Sequence, residues 1–297
     1  MKAIGIDIGG TSIKGVVIDQ SGRIAGETKQ ATDAAKGKDC ILANVKDVIR
    51  QLLEQHPDSE GIGIGTAGRV NASTGEIVYA TDNLPGWQGS NLKEEIESVF
   101  HRRVSVDNDA NTALIGECWL GAGAGCSDVT MLTLGTGVGG ANRIGGKIVR
   151  GAQWNGGEWG HVILVPNGRP CNCGQRGCIE QYISGTAFVQ AAAEAASIHF
   201  PSGVEVLEAY EKGNPAVAAV LNEFIDDLTV VIHNIHLGIN PQAILIGGGM
   251  VDSKSIWWGL LEERVKRQGL HISFRAAELG NQAGSIGAAR MVWDARL

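Results

Sequence analysis

The sequence predicts an α/β protein built from two domains of related topology, and three observations support that prediction. The chain has 297 residues, more than the roughly 100–200 residues of one ordinary domain. Short apolar runs typical of buried strands alternate with stretches of helical periodicity, which is the pattern of α/β folds. The order strand, Gly-Thr turn, strand and polar-glycine turn over residues 4–18 also returns at an offset of roughly 130 residues.

The first half of the chain opens on a β-meander. Residues 2–11 are predicted to form a strand that runs into a glycine turn, and residues 13–18 form the strand that returns. The elements that follow are a helix over 41–53, strands over 61–64 and 104–106, and a helix over 110–120 whose first turn begins at Asp109.

The second half repeats this order. A strand over 129–134, a glycine turn over 135–140 and a returning strand over 147–149 match the opening of the chain. The remaining elements are helices over 183–196 and 216–237, a strand over 243–246 that leads into Gly247–Gly249, and a closing helix over 283–293. No linker-like segment separates these elements, so we expect two α/β domains whose glycine turns face one cleft.

Charge and hydropathy exclude two classes of partner. The formal net charge is −7 with no long basic run, whereas a nucleic-acid-binding protein normally carries a basic patch or a DNA-binding motif. No apolar run approaches the ~18 residues that cross a bilayer. Asp7 lies within the first apolar stretch, which is unlike a secretory signal. We therefore expect a cytoplasmic protein that has neither a nucleic acid nor a membrane as partner.

The 43 glycines fall in bursts after apolar runs, where the backbone must approach something closely. Two bursts, Gly63–Gly68 and Gly135–Gly140, match the dinucleotide pattern by letter, but neither opens the helix which that pattern needs. Backbone N–H groups of hairpin turns can instead cradle phosphate oxygens. The turns over 7–11 and 134–137, each with a threonine, have this content, and tight hairpins without a ligand are the alternative. In the first turn, Asp7 would lie near Mg²⁺ through water and Lys14 would add positive charge.

Asn108 and Asp109 stand where a predicted strand ends and a helix begins. Both residue types are good helix N-caps, and capping is one interpretation of the pair. The other is a catalytic carboxylate at the helix N-terminus, which would orient a substrate hydroxyl and accept its proton during phosphoryl transfer. The two roles can coexist in one residue.

A histidine and three cysteines lie close together in the sequence. His161, Cys171, Cys173 and Cys178 supply one nitrogen and three sulfur ligands, which is the composition of a closed structural Zn²⁺ site. Such a site would hold a loop together and would not hydrolyse a substrate. Glu158 and Glu180 flank this loop and are candidates for binding sugar hydroxyls, although a solvated surface position is the alternative for both.

These motifs stand in the order of the ROK family of sugar kinases and repressors, which the chain resembles over nearly its whole length. The resemblance implies an actin-like ATPase (ribonuclease-H-like) α/β fold, two lobes with a cleft between them that closes around ATP and a sugar. We assign residues 1–119 plus 284–297 to the smaller N-terminal lobe, and 120–283 to the larger C-terminal lobe with the zinc loop. The motifs are Asp7-Ile-Gly-Gly-Thr11, Asn108-Asp109-Ala110, Leu134-Gly-Thr-Gly-Val-Gly-Gly140, Gly157-Glu-Trp-Gly-His161, the cysteines of residues 171–178 and Gly247-Gly-Gly249.

The resemblance also implies roles for individual residues. Asp109 is the expected base that acts on a sugar hydroxyl, usually the 6-hydroxyl of a hexose. The residues expected at the phosphates of ATP are Gly9, Gly10, Thr11, Gly135 and Thr136, and those expected near the adenosine are Gly248 and Gly249. The residues expected to contact the sugar are Gly68, Asn83, Asn108, Glu158, His161 and Glu180. With Arg69 and Thr81 the sequence resembles the N-acetylmannosamine kinase branch, in which Arg and Thr at these places approach the sugar. The stretch from Asn83 to Trp87 instead resembles the corresponding stretch of bacterial glucokinases.

The expected function is therefore a hexose kinase that uses ATP and Mg²⁺, carries a structural Zn²⁺ and forms a homodimer, with glucose as the first candidate substrate. A kinase of N-acetylmannosamine or N-acetylglucosamine is the alternative. A sugar-sensing regulator without catalysis is more distant, because Asp109 and both phosphate turns are retained. The helix-turn-helix of the family repressors is not expected, because Asp7 lies too near the start for it. An NAD-dependent enzyme is the most distant.

Overall fold

Strands and helices alternate through residues 1–81, 84–269 and 271–294, the part of the chain that this computed structural model describes. The first half contains β1 (Lys2–Ile8), β2 (Ser12–Asp19), β3 (Ile24–Ala31), α1 (Lys38–Gln55), β4 (Ser59–Thr66), β5 (Arg69–Asn71), β6 (Glu76–Tyr79), α2 (Leu92–Phe100), β7 (Arg103–Asn108) and α3 (Asp109–Leu120). The second half contains β8 (Val129–Leu134), β9 (Val138–Ile144), β10 (Lys147–Ile148), α4 (Glu180–Ile183), α5 (Gly185–Ala196), α6 (Gly203–Glu211), α7 (Pro215–Gly238), β11 (Ala243–Gly247), α8 (Lys254–Arg267), β12 (Phe274–Ala276) and α9 (Ala283–Met291). Among these described helices, none combines the length and apolar character that spanning a membrane requires.

Two five-stranded sheets in the described residues share one arrangement. The first has the order β3-β2-β1-β4-β7; β1, β2 and β3 pair antiparallel, whereas β1, β4 and β7 pair parallel. The second has the order β10-β9-β8-β11-β12, and its β11 pairs parallel with both β8 and β12. The internal echo in the sequence thus corresponds to a repeated sheet.

The chain divides into two compact units. The first unit comprises Met1–Ser127, Asn142–Gly156 and Glu278–Leu297, and the second comprises Asp128–Ala141 and Gly157–Ala277. The first unit is therefore assembled from three separate stretches of chain. The lobe boundaries predicted from the sequence stay a prediction.

The first sheet is covered by α1 on one face and by α9 on the other. Ile4, Ile6 and Ile8 of β1 are fully buried, because alternate strand residues face the same side, and they pack with the apolar stripe of α1. On the opposite face the backbone of α9 lies so close that a Cβ at Gly5 of β1 or Gly63 of β4 would overlap with a carbonyl oxygen of the helix. Glycine at these two positions permits this close helix–sheet packing.

The core of the second unit contains a group of packed aromatic rings. The rings of Phe188 in α5 and Phe224 in α7 have centroids 5.3 Å apart, and Trp257 in α8 meets Phe224 edge-on at 5.9 Å. The indole of Trp257 is fully buried and donates a hydrogen bond to the carbonyl of Met250 (3.1 Å), which satisfies its only polar atom. This core supports the turn that follows β11.

Several predicted elements differ from the structure in extent. The turn predicted over 135–140 is shorter, since β9 begins at Val138, and the helix predicted over 183–196 begins at Gly185 because the Ser184 side chain caps it. The turn assumed after Gly68 contains β5, which pairs with β6. Elements absent from the prediction are β3, β5, β6, α2, α6, α8 and β12.

Candidate active site

The turn between β1 and β2 carries Gly9, Gly10 and Thr11, as predicted from the sequence. The Gly9 N–H donates to the Ser12 carbonyl (3.1 Å), and the Thr32 hydroxyl donates to the Gly9 carbonyl (2.6 Å). Gly10 and Thr11 are exposed. The turn is thus held from its inner side, while its outer residues are accessible to a ligand.

Asp7 lies at the end of β1 next to this turn. Its carboxylate is 3.6 Å from Lys14 Nζ, and that ammonium group also donates to Asn281 Oδ1 (3.4 Å). The start of α9 encloses the carboxylate, since a Cβ at Gly284 would lie 2.9 Å from Asp7 Cγ. Burial raises the pKa of Asp7 to about 6. Lys14 lowers this pKa and the nearby Asp109 raises it, so the two carboxyl groups sense each other's charge.

The junction of β7 and α3 separates the capping role from the candidate catalytic role. Asn108 is the N-cap, because its Oδ1 accepts from the N–H groups of Ala110 (2.9 Å) and Asn111 (3.1 Å). Its Nδ2 donates to the carbonyl of Gly68 (2.9 Å), which joins the junction to the turn before β5. Asp109 is the first residue of the helix, and burial raises the pKa of its carboxyl. A carboxyl group with a raised pKa at a helix N-terminus suits a proton acceptor.

An ion pair beneath this junction has no signal in the sequence. Asp107 is 1% exposed, and its Oδ2 accepts from Nε (2.9 Å) and Nη2 (2.5 Å) of Arg150. Its Oδ1 accepts from the Asn108 N–H (2.7 Å) and from Asn111 Nδ2 (2.8 Å). Both carboxylate oxygens are therefore engaged, and the pair fixes the backbone that leads into Asp109.

The second predicted phosphate turn follows β8. The Gly135 N–H donates to the Gly137 carbonyl (3.0 Å), and the Gly135 carbonyl accepts from the Gly185 N–H (2.8 Å). Thr136 is exposed. Gly248 has a φ of 84° and packs so closely on Leu134 that a Cβ would overlap with that residue's backbone. The turn after β11 is therefore placed beside the turn after β8.

A cavity of about 810 Å³ opens at these two turns within the second unit. Its lining includes Gly135 and Thr136 from the first turn, Gly249 and Met250 from the second, and residues of α5 and α6. The volume lies within the range of about 300–1,000 Å³ that is usual for small-molecule sites. Two of the predicted phosphate residues, Gly135 and Thr136, thus line one pocket with Gly249.

The predicted sugar residues Glu158 and His161 share one short turn, in which the His161 N–H donates to the Glu158 carbonyl (3.1 Å). The turn packs directly on β9, since a Cβ at Gly160 would overlap with the carbonyl of Val138. Glu180 lies elsewhere in the same unit, at the start of α4, and its Oε2 accepts from the Val138 N–H (3.0 Å). All three residues therefore border β9.

The predicted zinc ligands come together in the structure. One ligand atom from each of His161, Cys171, Cys173 and Cys178 lies within 4.8 Å of the others. Cys171 Sγ is 3.7 Å from His161 Nδ1, and the sulfurs of Cys173 and Cys178 are 3.6 Å apart. A tetrahedral site with Zn–S bonds of about 2.3 Å requires sulfur atoms about 3.7 Å apart, so the four groups fit a zinc ion.

The remaining predicted sugar residues lie before and after the β5–β6 hairpin. Gly68 has a φ of 102°, and its carbonyl is the acceptor for Asn108. The guanidinium of Arg69 stacks 4.7 Å over the ring of Tyr79, and the Thr81 carbonyl accepts from the Leu84 N–H (3.2 Å). Asn83 lies outside the described residues.

The chain matches the model of the ROK family over residues 3–295. It is 34% identical to a glucokinase of Halalkalibacterium halodurans, with 97% of this chain and 94% of that protein covered. It is 31% identical to an N-acetyl-D-glucosamine kinase of Citrobacter koseri, with 96% and 97% covered. The crystal structure of a ROK family glucokinase from Streptomyces griseus in complex with glucose and AMPPNP matches with a TM-score of 0.84 and 32% identity, covering 98% of this chain and 99% of that one. These matches confirm the predicted actin-like ATPase fold, and the chain belongs to the ROK family.

Proposed function

We propose that the protein is an ATP-dependent sugar kinase that phosphorylates the 6-hydroxyl of a hexose, with glucose as the preferred substrate. The observation that carries this proposal is the β7–α3 junction, where Asn108 caps the helix and Asp109, the first residue of that helix, places a carboxyl group beside it. The glucokinase of Halalkalibacterium halodurans, 34% identical to this chain, supports glucose as the substrate.

Asp109 acts as the base in this proposal. Phosphoryl transfer has a loose transition state, so the carboxylate mainly orients the sugar hydroxyl and accepts its proton as the new bond forms. A base is most effective when its pKa approaches the working pH, and burial shifts the pKa of Asp109 in that direction. Asn108 and the Asp107–Arg150 pair hold the helix start in place.

ATP is bound by the two glycine-threonine turns and by the turn after β11. The phosphates accept hydrogen bonds from backbone N–H groups and threonine hydroxyls in two turns, Gly9–Thr11 and Gly135–Thr136. The nucleoside lies beside Gly248 and Gly249. Mg²⁺ neutralises phosphate charge and commonly keeps several waters while it binds one or two carboxylates. Asp7 is the carboxylate that fits this role, since it is partly exposed beside the first turn, and Lys14 supplies further positive charge.

The sugar is recognised by a set of residues that together offer hydrogen-bond donors and acceptors. These residues are Gly68, Arg69, Thr81, Asn83, Asn108, Asp109, Glu158, His161 and Glu180. A site built to hydrogen-bond a hydroxyl group rejects analogues that lack it, because its own polar atoms would be left unpaired.

An N-acetylhexosamine is the second candidate substrate. Arg69 and Thr81 favour N-acetylmannosamine, as argued from the sequence, and the relative from Citrobacter koseri is an N-acetyl-D-glucosamine kinase. A coupled assay of ADP release across glucose, mannose, fructose, N-acetylglucosamine and N-acetylmannosamine separates these candidates. We expect the highest kcat/KM with glucose. A higher value with either N-acetylated sugar would select the alternative, and sugar binding without transfer would indicate a regulator.

Two further features belong to the proposal. The homodimer is checked by sedimentation of the purified protein, and a monomer at all concentrations would contradict it. The cytoplasmic location is checked by fractionation of cells that express the protein.

A further inference from the structure

Glu180 bonds to the backbone beside the phosphate turn of the second unit. Its Oε2 accepts a hydrogen bond from the N–H of Val138 (3.0 Å), the residue that follows Gly135–Gly137. We propose that Glu180 is a positioning residue that holds this turn in the conformation that binds the phosphates of ATP. The inference rests on the proposed function in one respect, that ATP is the phosphoryl donor.

The glycine at position 137 is explained by the same contact. A Cβ at Gly137 would overlap with Glu180 Oε2, so the carboxylate occupies the space that any other residue would need. Gly137 has no left-handed backbone angle that would by itself require glycine. The absence of a side chain at this position therefore serves the approach of Glu180.

The turn is held at a second point from the same segment. Gly185, at the start of α5, donates its N–H to the Gly135 carbonyl (2.8 Å). The first residue of the turn, Gly135, is thus bonded to α5. The residue that follows the turn, Val138, is bonded to α4. Between these two points the exposed Thr136 faces the pocket. Without Glu180 the turn loses the restraint at Val138.

The backbone of Glu180 is itself fixed by the cysteine loop. Ile179 is 2% exposed, and its N–H donates to the Val162 carbonyl (2.9 Å). The Gln181 N–H donates to the carbonyl of Cys178 (3.0 Å), one of the four candidate zinc ligands. A single side chain therefore connects the ordered cysteine loop to the turn that binds phosphate, and its length decides whether the connection is made.

Titration calorimetry of the full chain with AMPPNP and Mg²⁺, in the absence of sugar, tests this role. A residue that only binds sugar has no effect on nucleotide affinity under these conditions. We expect Glu180→Ala to weaken AMPPNP binding roughly tenfold, the scale of one lost hydrogen bond. Glu180→Gln keeps a carbonyl oxygen at the same reach and should bind within about twofold of the wild type.

Glu180→Asp keeps the charge but is one methylene shorter, so it should lose affinity as Glu180→Ala does. Glu180→Asp therefore tests the same contact if Glu180→Ala does not fold. Glu263→Ala, which removes an exposed carboxylate on α8 of the same unit, is the matched control and should bind as the wild type does.

Wild-type affinity in Glu180→Ala or in Glu180→Asp would overturn the role of Glu180 without affecting the proposed function. An affinity of Glu180→Gln as low as that of Glu180→Ala would also overturn it, because the charge and not the reach would then matter. Absence of AMPPNP binding by the wild type would overturn the proposed function, and with it this role.

Discussion

At the scale of single residues, the division between Asn108 and Asp109 bears most directly on catalysis. The sequence identified both residues at a helix start, because Asp and Asn are common there, but it left open which of them caps the helix. The structure assigns the cap to Asn108. Asp109 keeps a carboxyl group whose pKa burial raises, so the cap and the proposed base are adjacent residues.

Replacement of Asp109 tests the base directly. Asp109→Asn retains the shape and the hydrogen bond at the helix start but cannot accept a proton, so kcat should fall by about 10²–10⁴-fold. The nucleotide affinity should stay within about twofold, since the pocket that we propose for the nucleotide is lined by other residues. Steady-state kinetics with glucose measure the first quantity and calorimetry the second, with the exposed Asp47→Asn as control. Near-normal turnover in Asp109→Asn would remove this residue from the mechanism.

Asp7 should make the stability of the ligand-free protein depend on pH. Its pKa is about 6 in the folded protein and near 3.9 in an unfolded chain, so the folded state holds more protons between these values. Stability therefore falls as the pH rises through this window. We expect Asp7→Asn to raise the free energy of unfolding at pH 7.5 by about 1–3 kcal/mol and to change it little at pH 4.

Urea denaturation of both proteins without nucleotide or Mg²⁺ measures this difference. Asp58→Asn, which alters an exposed carboxylate paired with Lys2, is the control and should not reproduce the pattern. Equal stability of Asp7→Asn and the wild type at pH 7.5 would show that Lys14 compensates the buried charge completely.

The Asp107–Arg150 pair shows what residue patterns do not reveal. The two residues are separated by 43 positions, and neither stands in a motif with a characteristic spacing. The metal cluster was predicted in full, because its four ligands lie within eighteen residues of one another in the sequence and their chemistry is specific. Local spacing predicts local clusters, whereas a long-range ion pair depends on how the elements pack.

At the scale of elements, the loop with the cysteines has little regular structure. It reaches from the short turn that contains Glu158 and His161 to α4. Two hydrogen bonds, Cys171 N–H to the Gln175 carbonyl (2.9 Å) and Gly174 N–H to the Cys171 carbonyl (3.0 Å), close its tip. Gly174 and Gly177 have φ values of 87° and 82°, in the left-handed backbone region that favours glycine in tight turns. A metal ion held by the four candidate ligands would stabilise such a segment.

Metal removal should therefore open this loop and leave the helices folded. The purified protein should contain about one zinc per chain, measured by atomic emission. After chelation, the thiols of the cluster should react rapidly with a disulfide reagent, proteolysis should cut within residues 161–180, and sugar affinity should fall. Cys173→Ser should lose the metal, while Cys40→Ser, outside the cluster, should keep it. A metal-free protein with full sugar affinity would contradict this account.

The elements that the sequence predicted well are those with strong periodicity. α1 buries Ile41, Val45 and Leu52 along one stripe, and α7 buries a continuous face over 24 residues. β3 was missed because none of its residues is fully buried. α8 was missed because only Trp257, Leu261 and Val265 are buried among many charged residues, and a short apolar stripe does not separate a helix from a polar loop.

At the scale of the whole molecule, the first unit depends on a buried glutamate. Glu117 of α3 is fully buried, and its carboxylate accepts from the N–H groups of Ala122 (2.9 Å), Glu278 (3.0 Å) and Leu279 (2.8 Å). A Cβ at Gly121 would overlap with the same carboxylate, which explains the glycine. The Glu117 side chain thus bonds to two stretches of chain. One leaves the first unit after α3, and the other returns to it before α9.

Substitution of Glu117 should destabilise the first unit strongly. Glu117→Gln has one acceptor oxygen instead of two and brings an amide N–H group towards buried backbone donors. The expected loss is about 2–4 kcal/mol in the free energy of unfolding, because each unsatisfied buried group costs about 1–3 kcal/mol. Urea denaturation measures it, with Glu54→Gln on the exposed face of α1 as control. A change below about 0.5 kcal/mol would show that the backbone donors find other partners.

The position of α9 sets an order for biosynthesis. This helix packs backbone to backbone on α3, since a Cβ at Gly287 would overlap with the carbonyl of Thr112 and one at Gly116 with that of Ala283. A ribosome that has made the first 277 residues has completed the second unit, while the first sheet still lacks the helix that covers one face. The first strands to be synthesised are therefore covered only after the last helix has been made. A chain cut short before α9 would expose that face to chaperones and proteases, and α3, which begins with Asp109, would lose the close packing that Gly116 and Gly287 permit.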